Sequence, residues 1–240
     1  MCLKALRALL QFTTILPLGK PVEFEYFARR SWLYPVAGYV TGGIAALAVF
    51  WIPVTPVAAA VAIALLLLIS GCNHFDGLVD LGDGLMAHGE PEQRVRAMTD
   101  RQTGAGGVAI GTATLLLTYA GLQASVPLIW TILIAEVGAA FSMVILTTFG
   151  TPFREGIHSF LHGFARPHFP IFAAILCIPL VLLPVPPARL AVAAILMVTV
   201  PVLLLAVSRR LFGGVNGDVV GAGHELTRAV IIAAMVLVLR

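Results

Sequence analysis

Long apolar stretches, separated by short polar or proline-bearing breaks, set the pattern of this chain. They run roughly from Trp32 to Ile52, Val54 to Ser70, Val108 to Leu122, Leu128 to Phe149, Phe169 to Leu183 and Leu190 to Val207. A last run, Ala229 to Leu239, is short and reaches span length only with the residues before it. About 20 residues cross the hydrocarbon core of a bilayer, so six to seven spans are expected. The runs are continuous rather than alternating, which speaks against a β-barrel, and backbone groups in lipid must be satisfied within the segment. The expected fold is an all-α polytopic transmembrane bundle, one domain over residues 1–240. Composition agrees, with 59% hydrophobic and 11% charged residues, against roughly half and a quarter in soluble domains.

Charge then orients the bundle. With the N-terminus on the cytoplasmic side, the outer connections are Pro53 to Pro56, Gln123 to Pro127 and Pro184 to Arg189. Of fifteen Lys and Arg, only Arg189 and Arg240 fall outside, leaving thirteen on the cytoplasmic side. That asymmetry is the positive-inside pattern of a multi-pass cell-membrane protein. Anionic lipid accounts for the basic side, and the net charge of +3 calls for no nucleic acid. Met1 to Lys20 mimics a signal peptide through Lys4 and Arg7, yet it lacks a small-residue cleavage site and runs into Pro17. A retained interfacial segment is expected there. Three cysteines, Cys2, Cys72 and Cys177, suggest neither a disulfide framework nor a zinc knuckle.

The acids are more telling. Eleven of twelve Asp and Glu fall in the segments assigned to the cytoplasmic side, and only Glu136 lies within an apolar run. A cation or proton transporter would place carboxylates at mid-membrane depth. Chemistry at one membrane face is the better expectation.

Two constellations carry it. In the stretch Cys72 to Gly84, Asp76, Asp80 and Asp83 stand at i, i+4 and i+7, which on a helix confines them to an arc of about 60°. Like charges stacked in this way destabilise a helix unless a cation lies between them, and an oxygen-rich set suits Mg²⁺ with substrate phosphates. Gly77, Gly82 and Gly84 would let a large ligand approach the backbone. The bland alternative is an acidic helix end in water. In the stretch Gly213 to Glu225, Asp218, Gly221, Ala222 and Glu225 repeat the helical spacing. The small residues suit close packing against a helix or a ligand. Gly213, Gly214 and Gly217, around Asn216, could form a backbone concavity for phosphate. A third segment, Asp100 to Gly107, opens the next span: Arg101 supplies a phosphate fork, and the amides near Gly104 and Gly107 begin a helix. An ordinary juxtamembrane loop would read the same way.

Two further features are set aside. His158 and His162 stand at i and i+4, but only Glu155 lies nearby to complete a metal set, and an interfacial loop is expected there. Glu136 has no obvious partner and reads equally as a packing residue.

These segments, in this order, resemble the adenosylcobinamide-GDP ribazoletransferase family, also called cobalamin synthase. Its His-x-Asp-Gly-x-x-Asp-x-x-Asp-Gly motif is matched by His74, Asp76, Gly77, Asp80, Asp83 and Gly84. Its late glycine-rich motif is matched by Gly213, Gly214, Gly217, Asp218, Gly221, Ala222 and Glu225. Phe12, Thr13 or Thr14, Pro17, Arg29, Pro35, Gly38 and Gly42 match its earlier pattern. The chain departs where Arg101 stands one position early, where Asn216 replaces a frequent Thr, and where Arg228 replaces a frequent acid.

The resemblance implies transfer of the adenosylcobinamide-phosphate group from adenosylcobinamide-GDP to α-ribazole or its 5′-phosphate, with release of GMP, in nucleotide-loop assembly. It implies Mg²⁺ held by Asp76, Asp80, Asp83, Asp218 and Glu225, with His74 as general base or substrate ligand. Arg29, Asp100, Arg101, Gly104, Gly107, Gly213, Gly214, Asn216, Gly217, Gly221 and Glu225 become the expected substrate contacts. The alternatives are a CDP-alcohol phosphotransferase, whose acidic pattern does not occur, a prenyltransferase, for which Asp76 and Asp80 give one Asp-x-x-x-Asp repeat but Asp218 begins no second, and a transporter. The lipid bilayer is the expected surrounding, and a homo-oligomer is left open.

Overall fold

The structure is a computed structural model that describes residues 2–238. Met1, Leu239 and Arg240, the last expected on the outer side, lie outside the described residues. Among the described residues, twelve α-helices form the frame: α1 (Cys2–Thr13), α2 (Glu25–Ala28), α3 (Tyr34–Val49), α4 (Thr55–Ile69), α5 (Asn73–Met86), α6 (Pro91–Met98), α7 (Ala105–Ala124), α8 (Leu128–Phe149), α9 (Ile157–Phe164), α10 (Phe169–Cys177), α11 (Pro187–Phe212) and α12 (Gly217–Leu237). Short 3₁₀ turns precede α3 and extend α10 to Leu182. The only pairing outside helices among the described residues is an isolated bridge between Pro152 and Val215.

Five helical stretches are long and apolar enough to cross a membrane: Ser31–Val49, Ala105–Ala124, Leu128–Phe149, Pro187–Phe212 and Gly217–Leu237. Two bent pairs, α4 with α5 at 92° and α9 with α10 at 94°, bring the number to as many as seven where each counts as one span. The chain is therefore a multi-pass helical membrane protein, as the apolar runs required. The short terminal run finds its missing length in the second acidic motif, which forms the first turns of α12.

Helix α8 is the axis. Nearly every residue from Thr131 to Thr148 is buried, so a helix apolar all round is enclosed by its neighbours. Helix α3 runs antiparallel to it: a Cβ on Gly38 would stand 2.7 Å from the Glu136 carbonyl oxygen, and one on Gly42 2.9 Å from the Glu136 side chain. Small residues four apart thus allow backbone contact. Outward, Leu68, Leu116, Ile171, Ile175, Ile195 and Leu203 remain exposed, an apolar belt suited to acyl chains. At one end the connections between α7 and α8 and before α11 meet, where Arg189 donates to the Val126 carbonyl at 3.0 Å. At the other end α1 lies against α2 and α3 with Ala5, Ala8 and Leu9 buried, and its Phe12 packs on Phe24 and Phe27.

The α4–α5 break positions the site. Gly71 and Cys72 both adopt left-handed backbone, with φ of 62° and 59°. Glycine meets this conformation without penalty and cysteine does not, so Cys72 stores strain at the hinge. The turn sends α5 alongside α12 and α7 instead of onward with α4.

Candidate active site

Helix α5 carries its acids against two other helices, and its glycines explain how. A Cβ on Gly77 would lie 2.7 Å from the Asp218 carbonyl oxygen, and one on Gly82 would lie 2.9 Å from the Gly106 carbonyl oxygen. Gly84 faces Met98 and Phe212, and Gly221 faces the backbone of His74. The glycines of the first motif thus admit neighbouring helices rather than a ligand, correcting the expectation from sequence. Their packing sets the start of α12 directly against the acidic face of α5.

Asn216 explains the start of α12. Its side-chain oxygen accepts from the Val219 amide at 3.1 Å, capping the helix, while its side-chain nitrogen donates to Asp218 at 2.5 Å. Gly213 ends α11 in left-handed backbone at φ 77°. Gly214 is pressed against Thr151 and Phe153, and the Val215 amide donates to the Thr151 carbonyl at 2.8 Å. These contacts hold the expected phosphate loop onto the segment after α8.

Beneath this junction opens a cavity of about 360 Å³. Its acidic wall holds Asn73, His74, Asp76, Gly217, Asp218 and Gly221, and its apolar wall holds Phe12, Tyr34, Met143, Ile157 and Leu161. Thr147, His158 and Val220 complete the lining. A smaller adjoining cavity of about 240 Å³ shares Asp218 and adds Arg154 and Asn216. Arg154 reaches the Asp218 carboxylate at 3.4 Å. It is the one basic side chain within 4.0 Å of the carboxylates of Asp76, Asp80, Asp83 and Asp218 among the described residues. Arg154 is not among the residues the sequence motifs single out, although its place just after the α8 span marks it as a charge at a helix end.

The remaining candidates divide. Asp83 faces α7 and accepts from the amides of Gly104 and Gly107, both at 2.8 Å. An anion does sit at that helix N-terminus, as expected, but it is this protein's own carboxylate. Asp100 accepts from the Gln102 amide in an exposed turn, and Arg101 is exposed beside it. Arg29 pairs with Glu25 at 2.5 Å and lies over the Phe164 ring, away from the cavity lining. His158 and His162 contact the carbonyls of Gly150 and Thr147, so they are structural on helix α9, which replaces the expected loop.

Glu225 departs furthest from expectation. It is buried in the interior of the helical bundle beside Arg228, whose guanidinium bridges Glu225 and Glu136. Glu136 also accepts from Thr41 at 2.9 Å, and His224 lies 3.8 Å from it. Glu136 therefore has partners that the sequence reading did not find, and Arg228 belongs to the interior rather than to the basic face. Eleven of the acids do not all lie at one face: the second motif straddles the surface and the core.

Comparison with known proteins places this architecture. The family model described as cobalamin-5-phosphate synthase matches residues 5–236. A Halorubrum lacusprofundi protein named adenosylcobinamide-GDP ribazoletransferase is 35% identical, covering 99% of this chain and 98% of that protein. Proteins of the same name from Methanocella arvoryzae and Archaeoglobus fulgidus are 35% and 36% identical, covering 99% and 98% of this chain and 97% and 98% of their own lengths. No solved structure matches. With both acidic motifs packed on one cavity and the match running nearly end to end, the chain belongs to the cobalamin-5-phosphate synthase family.

Proposed function

We propose that this chain is an adenosylcobinamide-GDP ribazoletransferase that transfers the adenosylcobinamide-phosphate group to α-ribazole or its 5′-phosphate. The observation carrying this reading is the seating of the Asp218 backbone against Gly77, which joins the two acidic motifs at the rim of one cavity. In the reaction a ribose hydroxyl attacks the phosphorus bonded to the cobinamide side. The bond from that phosphorus to the GMP oxygen breaks, GMP leaves, and the hydroxyl proton passes to solvent or a nearby carboxylate.

The residues fit a hard divalent cation. Asp76, Asp80, Asp83 and Asp218 gather on two packed helices, and Arg154 at 3.4 Å from Asp218 compensates only part of that charge. Magnesium held by Asp76, Asp80 and Asp218, with Asp83 behind them, would neutralise the diphosphate and the charge developing on the leaving GMP. Arg154 is placed to hold a phosphate oxygen when Asp218 turns to the metal. The apolar wall of Phe12, Tyr34, Met143, Ile157 and Leu161 suits the flat base of the acceptor. His74 stacks on His224, and we assign it to the floor of the site. The basic and acidic end faces the cytoplasm of a cell membrane, as the distribution of Lys and Arg supports.

The test is incubation of the purified protein in lipid with adenosylcobinamide-GDP, α-ribazole and Mg²⁺. GMP release that requires all three supports the reading. GMP release absent with both acceptors would transfer support to a transferase of lipid head groups.

A further inference from the structure

Running inward from the cavity floor is a group of side chains that the proposed chemistry does not use. His74 stacks on His224 with ring centroids 4.3 Å apart. His74, His224 and Glu225 each offer one metal-ligating atom, and these atoms lie within 4.8 Å of one another. Three buried atoms among them, Nδ1 of His74, Nδ1 of His224 and Oε1 of Glu225, have no hydrogen-bond partner. Buried polar atoms are rarely left so, and three in one place ask for a shared partner.

The surroundings are arranged as they are around metal ligands. Nε2 of His224 points to Glu136 at 3.8 Å, while its Nδ1 stands 3.5 Å from the free Glu225 oxygen. The Glu136 carboxylate thus stands behind the His224 imidazole, beyond direct hydrogen-bond reach, on the side where a ligating histidine takes its outer contact. The other Glu225 oxygen is held by Arg228, which leaves Oε1 aimed inward. An enclosed chamber of about 10 Å³, lined in part by Thr41, Ser70, His74, Glu136 and His224, is sized for a single water. That water could complete a four-coordinate set.

We infer that His74, His224 and Glu225 form a second metal site, distinct in chemistry from the carboxylate face above it, for a borderline divalent ion of the zinc type. Two imidazoles and one carboxylate suit zinc, whereas magnesium takes oxygen ligands. Tetrahedral zinc at 2.0–2.1 Å sets its ligand atoms about 3.4 Å apart, so the group, now within 4.8 Å, closes on binding. The ion would pin α5 to α12 just behind Asp76.

The test uses metal alone and is independent of turnover. Protein stripped with chelator in lipid nanodiscs is titrated with Zn²⁺, counted by elemental analysis, and examined by X-ray absorption at the zinc edge. One zinc per chain is expected, with two imidazole ligands, retained under excess Mg²⁺. His224→Gln and Glu225→Gln should each weaken it at least tenfold, and Asp80→Asn should not. Co²⁺ should give the visible absorption of a tetrahedral site. No stoichiometric zinc, all-oxygen coordination, or displacement by Mg²⁺ would each overturn the inference, and the wild-type spectrum decides this even if a variant fails to fold.

Discussion

Asp218 and Glu225 sit seven residues apart on one face of one helix, yet they meet opposite fates. Asp218 lines an open cavity and has a single basic neighbour at 3.4 Å. Glu225 is 1% exposed and bound to an arginine that is itself 2% exposed. Depth along α12 makes the difference. At the first turn water and substrate can reach a carboxylate. Two turns further in, a charge survives only when paired. A carboxylate on one face of α12 thus opens onto the cavity at one level and is locked in an ion pair at the next.

The largest break in this comparison should come from the inner level. Arg228→Met leaves Glu136 and Glu225 buried without their shared cation, and removing one partner of such a group costs roughly 3–5 kcal/mol. Thermal unfolding in lipid should show the loss, and adding Glu136→Gln and Glu225→Gln should restore part of it. At the outer level, Asp76→Asn and Asp218→Asn should each lower GMP release by about 100-fold or more, the scale of losing electrostatic stabilisation of a transferring group. Their unfolding temperatures should stay at the wild-type value, which separates the two levels. Unfolding at a much lower temperature would mean that these carboxylates are structural too.

Between the levels lies the helix contact itself. Gly77→Val places side-chain atoms where the Asp218 backbone stands, an overpacking cost of about 1–3 kcal/mol. Activity should fall with stability, and the Mg²⁺ concentration for half-maximal rate should rise. Asp83→Asn should cost about 0.5–2 kcal/mol of stability, less than Gly77→Val, because it weakens a carboxylate that caps α7. Amide exchange at Gly104 and Gly107 should report it.

The outer level was legible in the sequence and the inner level was not. Apolar runs fixed the spans because lipid imposes length and continuity on any helix that crosses it. Asp76, Asp80 and Asp218 could be picked out because spacing of 4 and 7 on a helix is a local property. Glu136 and Arg228 are separated by 92 residues, and no periodicity links them, so their pairing appears only once α8 and α12 pack. Gly77 and Gly82 were recognisable as requirements for close approach, but a sequence does not say what approaches. The hinge at Gly71 and Cys72 also escaped notice, since an apolar helix followed by an acidic one reads as a simple exit from the membrane.

A double-substitution cycle between Asp76 and Asp218, read as the rate of GMP release at saturating Mg²⁺, tests the joining of the two motifs most directly. Groups that act as one unit are strongly non-additive. The paired variant Asp76→Asn, Asp218→Asn should be no more than about threefold slower than the worse single variant. Losses that multiply would show two carboxylates working apart and would contradict a shared site.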